Sequence, residues 1–174
     1  TSKIFTIGDV AVVNISGMTL TGGNGVGSSP GNTFGGAVYN QGVLTLTNMV
    51  ITGNSAGNDG GGVYNSTSDS LTLIGCIITN NTSANLGGGV HNHSSATTTI
   101  TNSTISNNTS TTGGGGGIYS EDGSTLSLTN STVSGNQALS ASGNGGGIVA
   151  DSVTLTMTNS TIIGNSATGV GGGI

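Results

Sequence analysis

Arginine is absent from this chain and lysine occurs once, as Lys3. A nucleic-acid binder neutralises phosphates with these two side chains, so that class of function is not expected. Tryptophan is also absent, and aromatics make up 3 % of the residues. The single proline, Pro30, excludes a collagen-like helix, which needs much proline and glycine at every third position. The single cysteine, Cys76, cannot close an internal disulfide and says nothing about redox compartment. No apolar run approaches the ~20 residues that a membrane-spanning helix needs, so no span is expected in this chain. Six acids and one lysine give a formal net charge of -5, with the acids scattered rather than gathered in a tail.

What the chain has in excess is glycine, 35 of 174 residues. By composition alone this would suit a disordered segment, but the glycines and aliphatics are ordered. Gly-Gly-Gly-(Val/Ile), or Gly-Gly-Ala-Val in its first copy, ends at Val38, Val63, Val90, Ile118, Ile148 and Ile174, with spacings of 25, 27, 28, 30 and 26 residues. A fixed period of this length marks an array of equal structural units.

Aligning the units on their glycines gives three short apolar stretches in each. The first is 61–65, with partners at 36–40, 88–92, 116–120 and 146–150. The second is 44–48, with partners at 71–75, 98–102, 126–130 and 155–159, and the third is 50–54, with partners at 77–81, 104–108, 132–136 and 161–165. Apolar and polar residues alternate in them, which is the period of a half-buried strand. Leu46, Leu73, Ile100, Leu128 and Met157 form one inward column; Ile51, Ile78, Ile105, Val133 and Ile162 form another. The flanking hydroxyl columns, with Thr45, Thr47, Thr99, Thr101, Ser127, Thr129, Thr156 and Thr158, then face solvent.

Two columns hold only Gly and Asn: Asn48, Gly75, Asn102, Asn130 and Asn159 after the second stretch, and Gly53, Asn80, Asn107, Gly135 and Gly164 inside the third. These residues accept a left-handed backbone at least cost, so both columns are expected to be tight corners. The adjoining column is Asn throughout: Asn54, Asn81, Asn108, Asn136 and Asn165. Stacked identical amides can hydrogen-bond along such a column.

The expected fold is therefore all-β: a right-handed parallel β-helix of three short strands per turn, with about six turns of roughly 25–31 residues forming one domain over residues 1–174. Each turn adds ~4.8 Å of length. Residues 1–35 fit as an opening turn, with Val13 and Ile15 aligned to Leu44 and Leu46, and a long loop at 25–34 that holds Pro30. Because the chain opens and closes inside repeats, it reads as a segment of a longer chain or as a stacking unit.

The Gly-Gly-Ala-Val at 35–38, the Gly-Gly-Gly-(Val/Ile) strands and the (Ile/Val)-x-x-Asn segments at 51–54, 78–81, 105–108, 133–136 and 162–165 resemble the repeats of bacterial surface β-helix proteins. Polymorphic outer-membrane proteins pair Gly-Gly-Ala-(Ile/Val) with Phe-x-x-Asn; here Ile or Val stands in place of that Phe. The chain also resembles the very large secreted right-handed β-helix repeat proteins of environmental bacteria. The resemblance implies export to the cell surface or beyond and says little about activity, because function does not follow from fold.

Candidate chemistry is sparse. The acids Asp9, Asp59, Asp69, Glu121, Asp122 and Asp151 are read as loop charges, with Asp59 at one edge of the repeat and most of the others at the opposite edge. A glycosidase needs two carboxyl groups on one cleft, and a lyase needs a basic side chain, so no catalytic residue, metal site or cofactor is expected. His91 falls in an outward column with Tyr39, Tyr64, Tyr119 and Val149, expected to be a surface ladder that could meet glycans. The Thr columns form a flat hydroxyl array of the kind that β-solenoid ice-binding proteins present. Ten Asn-x-Ser/Thr sequons occur, several of them at corners. The resulting expectation is a rigid, non-enzymatic extracellular rod, an adhesin stalk or filament. Its partners would be adjoining repeats or other copies of itself, through open end turns, and glycans or a surface.

Overall fold

The computed structural model describes residues 2–25 and 33–174; Pro30 and most of the long loop around it lie outside the described residues. The chain winds as a right-handed parallel β-solenoid with no helix among the described residues. Three sheets hold six strands each. Sheet A carries the Gly-Gly-Gly strands, such as Val63–Asn65 and Val90–Asn92. Sheet B carries the longest strands, such as Val43–Thr47 and Thr97–Thr101, and sheet C those such as Val50–Thr52 and Thr104–Ser106. Each strand pairs with its equivalent one repeat away, and the register is unbroken: Leu44, Leu71, Thr98, Leu126 and Leu155 follow one another across sheet B.

A fourth sheet, D, adds to the three expected strands. Its members are only two residues long, Ser55–Ala56, Thr82–Ser83, Thr109–Ser110, Gln137–Ala138 and Ser166–Ala167. They occupy what reads as loop in the sequence. The strands of sheet B also begin one residue earlier than the alternation alone suggests, at Val43, Ser70, Thr97, Thr125 and Thr154.

The core is built of parallel columns of aliphatic side chains contributed by sheets A, B and C. Leu46, Leu73, Ile100 and Leu128 are fully buried, as are Ile51, Ile78, Ile105, Val133 and the sheet A residues Val38, Val63, Val90, Ile118 and Ile148. Met157 and Ile162, in the last turn, are half-buried. Thr98 stands where the other turns place Leu or Val, yet it is fully buried. Its Oγ1 donates to Asn92 Oδ1 at 2.7 Å and accepts from Asn65 Nδ2 at 3.2 Å, which offsets the cost of burying a hydroxyl.

All ten Gly and Asn corner positions have positive φ. Asn48, Asn102, Asn130 and Asn159 lie between 49° and 52°, Asn80 and Asn107 at 56° and 54°, and Gly53, Gly75, Gly135 and Gly164 at 63–64°. A side chain branched at Cβ is strained there. Asn102→Val is expected to lower unfolding stability by about 1–2 kcal/mol, and Asn102→Gly to change it by a few tenths; parallel urea titrations compare the two.

Two amide ladders run along the axis. In the first, the Nδ2 of each asparagine donates to the Oδ1 of the next, from Asn54 to Asn81, Asn108, Asn136 and Asn165, at 2.9–3.0 Å. Each Oδ1 also accepts the preceding asparagine's backbone N–H, at 2.9–3.1 Å. The second ladder runs from Asn40 to Asn65 to Asn92 at 2.7 and 3.0 Å and ends on Ser120 Oγ at 3.0 Å. Four sequon asparagines, Asn65, Asn81, Asn92 and Asn108, are fully buried in these ladders and are closed to glycosylation in the folded chain.

Candidate functional site

The outward side chains of sheet A form a ring stack. Tyr39 lies 5.4 Å from Tyr64, Tyr64 lies 5.0 Å from His91, and His91 lies 5.5 Å from Tyr119, centroid to centroid. Phe34 packs on Tyr64 at 4.8 Å, and His93 lies 5.7 Å from the same tyrosine ring. The stack is not the surface ladder that the sequence suggests. Tyr64 is 5 % exposed and His91 is wholly buried; Tyr39 and Tyr119 are half-buried. The cover comes from the segments that follow sheet D, which return across this face before entering the next Gly-Gly-Gly strand. At Gly115, with φ +66°, an added Cβ would sit 2.5 Å from Ile118 O and 2.8 Å from Tyr119 Cβ, so only glycine lets the chain cross so closely.

Asp59 and Glu121, which the sequence places at opposite edges, meet at this stack. Glu121 ends the strand Ile118–Glu121, and Asp151 ends Ile148–Asp151, so neither is a loop residue. His91 Nε2 lies 3.0 Å from Glu121 Oε1, and His91 Nδ1 lies 3.8 Å from Asp59 Oδ2. Asp59 Oδ1 accepts from Asn85 Nδ2 and from the Leu86 N–H, both at 2.9 Å. His93 Nε2 adds a 3.6 Å contact to Glu121, and its Nδ1 lies 2.9 Å from Thr67 Oγ1. The imidazole of His91 thus separates the carboxylates, and they do not share an open cleft. Among the described residues no three His, Cys, Asp or Glu side chains converge to hold a metal ion.

The hydrogen bond from His91 pulls the Glu121 carboxyl below its ordinary value; partial burial opposes this, and the charges of His91 and His93 add to the lowering. A carboxyl lowered on folding stabilises the fold above its unfolded value, and that contribution is lost as pH falls through the lower folded value. Glu121→Gln is therefore expected to flatten the acid limb of the stability profile, with wild type and variant converging once pH falls below the lowered folded value. Urea midpoints measured across the acid range check this.

The opposite feature is the outer face of sheet B. Three outward columns run in register here, and in the C-terminal half they are filled with hydroxyls: Thr97, Thr99 and Thr101, then Thr125, Ser127 and Thr129, then Thr154, Thr156 and Thr158. None of these side chains hydrogen-bonds within the described residues, so every hydroxyl is left for solvent or a ligand. The column through Thr97, Thr125 and Thr154 is one that the sequence alignment passes over, because it starts each strand a residue late. Towards the N-terminus the array stops: Ile74, 37 % exposed, interrupts the Thr47 to Thr101 column, and Val12 and Val43 head the outermost one.

Beside the ring stack, at the Tyr119 end, a cavity of about 360 Å³ opens between sheet A and the returning segments. Its walls include Leu86, Tyr119, Val149, Ser142, Asn144 and Asp151. Burial raises the Tyr119 hydroxyl above its ordinary value, and the charges of Glu121, Asp151, Asp122 and Asp59 raise it further. Lys3 stands at the other end of the stack, 5.3 Å over the Tyr39 ring and hydrogen-bonded to the Gly25 and Phe34 carbonyls; desolvation lowers its amine to about 8.

Against known proteins, residues 3–174 match the family described as the right-handed beta helix region. No curated protein and no solved structure matches the chain.

Proposed function

Because the chain belongs to the right-handed β-helix family, which includes both enzymes and non-enzymes, we propose that it is a non-catalytic rod: the stalk of a bacterial surface adhesin, or a filament unit, working outside the cell. The observation that carries this reading is the unbroken register of all four sheets together with two amide ladders, so that hydrogen bonds run along the whole axis. Such a lattice resists bending and stretching, because each strand between the end turns is held on both sides. The carboxylates of Asp59 and Glu121, divided by the His91 ring, supply no acid–base pair on a common cleft.

The end turns present strand edges to adjoining repeats or to a second copy, and such a contact builds a fibre where it does not close. The near absence of cleavable lysine suits an exposed location: the single trypsin site is at Lys3, whose amine is already held by two carbonyls. Electron micrographs of native material test the reading. Thin, uniform rods or fibres support it; compact particles with turnover of polysaccharide reject it.

The hydroxyl array favours a second reading, a binding module for ice. Neighbouring hydroxyls would repeat at about 4.8 Å across strands and about 6.6 Å along them. Thermal hysteresis that disappears in a Thr99→Lys, Thr101→Lys double variant would support it, and absence of any effect on ice growth by the parent chain would end it.

A further inference from the structure

We propose that the cavity beside Tyr119 binds a sugar ring that carries a protonated amine. Tyr119 is the only tyrosine of the stack that lines this cavity; Tyr64 is sealed beneath the cover. One side of the Tyr119 ring meets His91. In the next turn the column position is Val149, which with Leu86 gives the cavity an aliphatic wall next to that ring. Polar residues line the wall elsewhere: Asp151, Ser142, whose hydroxyl lies 3.1 Å from that of Ser140, and Asn144, whose Oδ1 accepts the Val170 N–H at 3.2 Å. A ligand that fits has one apolar face and a polar rim, which describes a pyranose with its C–H face on an aromatic ring. A volume of about 360 Å³ lies in the range of small-ligand sites.

Charge selects among sugars. Asp151 lines the cavity, and Glu121, Asp122 and Asp59 lie close enough for their charges to act on Tyr119. The only Lys or Arg of the chain is Lys3, against Tyr39 at the far end of the stack. A uronate or sulfated sugar would meet a field of its own sign. A protonated amine would meet the Asp151 carboxylate and the tyrosine ring, two groups that each attract a cation.

Calorimetric titration of the full chain tests this with three tetrasaccharide probes: glucosamine, N-acetylglucosamine and galacturonate. The glucosamine tetramer is expected to bind roughly tenfold tighter than its N-acetylated form and to weaken as salt rises, while the galacturonate tetramer does not bind. Asp151→Asn is expected to erase the preference for the amine, and Tyr119→Ala to abolish binding while Tyr119→Phe retains it. Methyl shifts of Leu86 and Val149 on adding the glucosamine tetramer place the site independently of any variant. No binding of the glucosamine tetramer, tighter binding of either other probe, or unchanged binding by Tyr119→Ala overturns the proposal. The rod reading stands or falls separately, by microscopy.

Discussion

Replacing Gly88 with alanine is expected to cost about 4 kcal/mol or more and to part the turn that carries it from the next. A Cβ built on Gly88 lies 2.3 Å from the Gly116 carbonyl oxygen and 2.6 Å from the backbone of Thr109. Ordinary overpacking costs about 1–3 kcal/mol because side chains move aside. Here the obstacles are main-chain atoms of the glycine run before the strand Ile118–Glu121 and of the sheet D strand Thr109–Ser110, each tied to further turns, and they cannot yield singly. Gly8→Ala is the control, since nothing lies within 4 Å of its added Cβ; it is expected to shift stability by no more than about 0.5 kcal/mol. Urea unfolding followed by circular dichroism gives the sizes. Hydrogen exchange is expected to show the Gly88→Ala loss concentrated in residues 82–90 and 109–118.

Asn108→Ala has the next largest expected effect, about 3–6 kcal/mol. The Asn108 amide is fully buried and engages four groups. Its Oδ1 accepts from the backbone N–H and the side-chain Nδ2 of Asn81, each at 3.0 Å. Its Nδ2 donates to the Ile78 carbonyl and to Asn136 Oδ1, each at 3.0 Å. Truncation strands these partners away from water, and each orphaned buried group costs about 1–3 kcal/mol. Asn108→Asp keeps the acceptor and loses the donor, leaving a carboxylate against the Ile78 carbonyl and the Asn136 oxygen; it is expected to be at least as damaging. Asn165→Ala, in the half-buried last turn, is expected to cost about 1 kcal/mol. Equilibrium unfolding of the three variants ranks them, and a flat ranking would remove the amide column from the account of stability.

The parts of the fold that could be read from residues are those set by local sterics and by a strict period. Asn48, Asn102 and Gly75 mark corners because few residues tolerate that backbone, and Leu46, Leu73 and Ile100 mark the interior because strand side chains alternate. Sheet D escaped because two residues cannot show a period of two. Its only trace is the small inward column Ala56, Ser83, Ser110, Ala138 and Ala167. The second amide ladder was within reach: Asn40, Asn65 and Asn92 recur one repeat apart, and Thr98, a hydroxyl in an aliphatic column, bonds the amides of Asn65 and Asn92.

The surroundings of the ring stack were much less legible. Tyr64 and His91 alternate as outward residues should, and their burial comes from returning segments of unequal length, where no column exists to align. The meeting of Asp59 with Glu121 across His91 depends on that cover. So does the cavity beside Tyr119, which exists because the ring stack ends at Val149 while the cover continues through Ser142 and Asn144. Periodicity locates the scaffold, and the departures from periodicity hold the candidate binding chemistry.

The solenoid requires each repeat to lie directly over the one before it. Paired spin labels at Asn14→Cys and Thr156→Cys measure that stacking, since these outward positions belong to one column through Thr45, Thr72, Thr99 and Ser127. Cys76 is buried and stays unlabelled in the folded chain. Five strand steps predict a narrow distance distribution near ~24 Å by pulsed electron resonance. A broad distribution, or a mean beyond about 35 Å, would contradict the stacked solenoid.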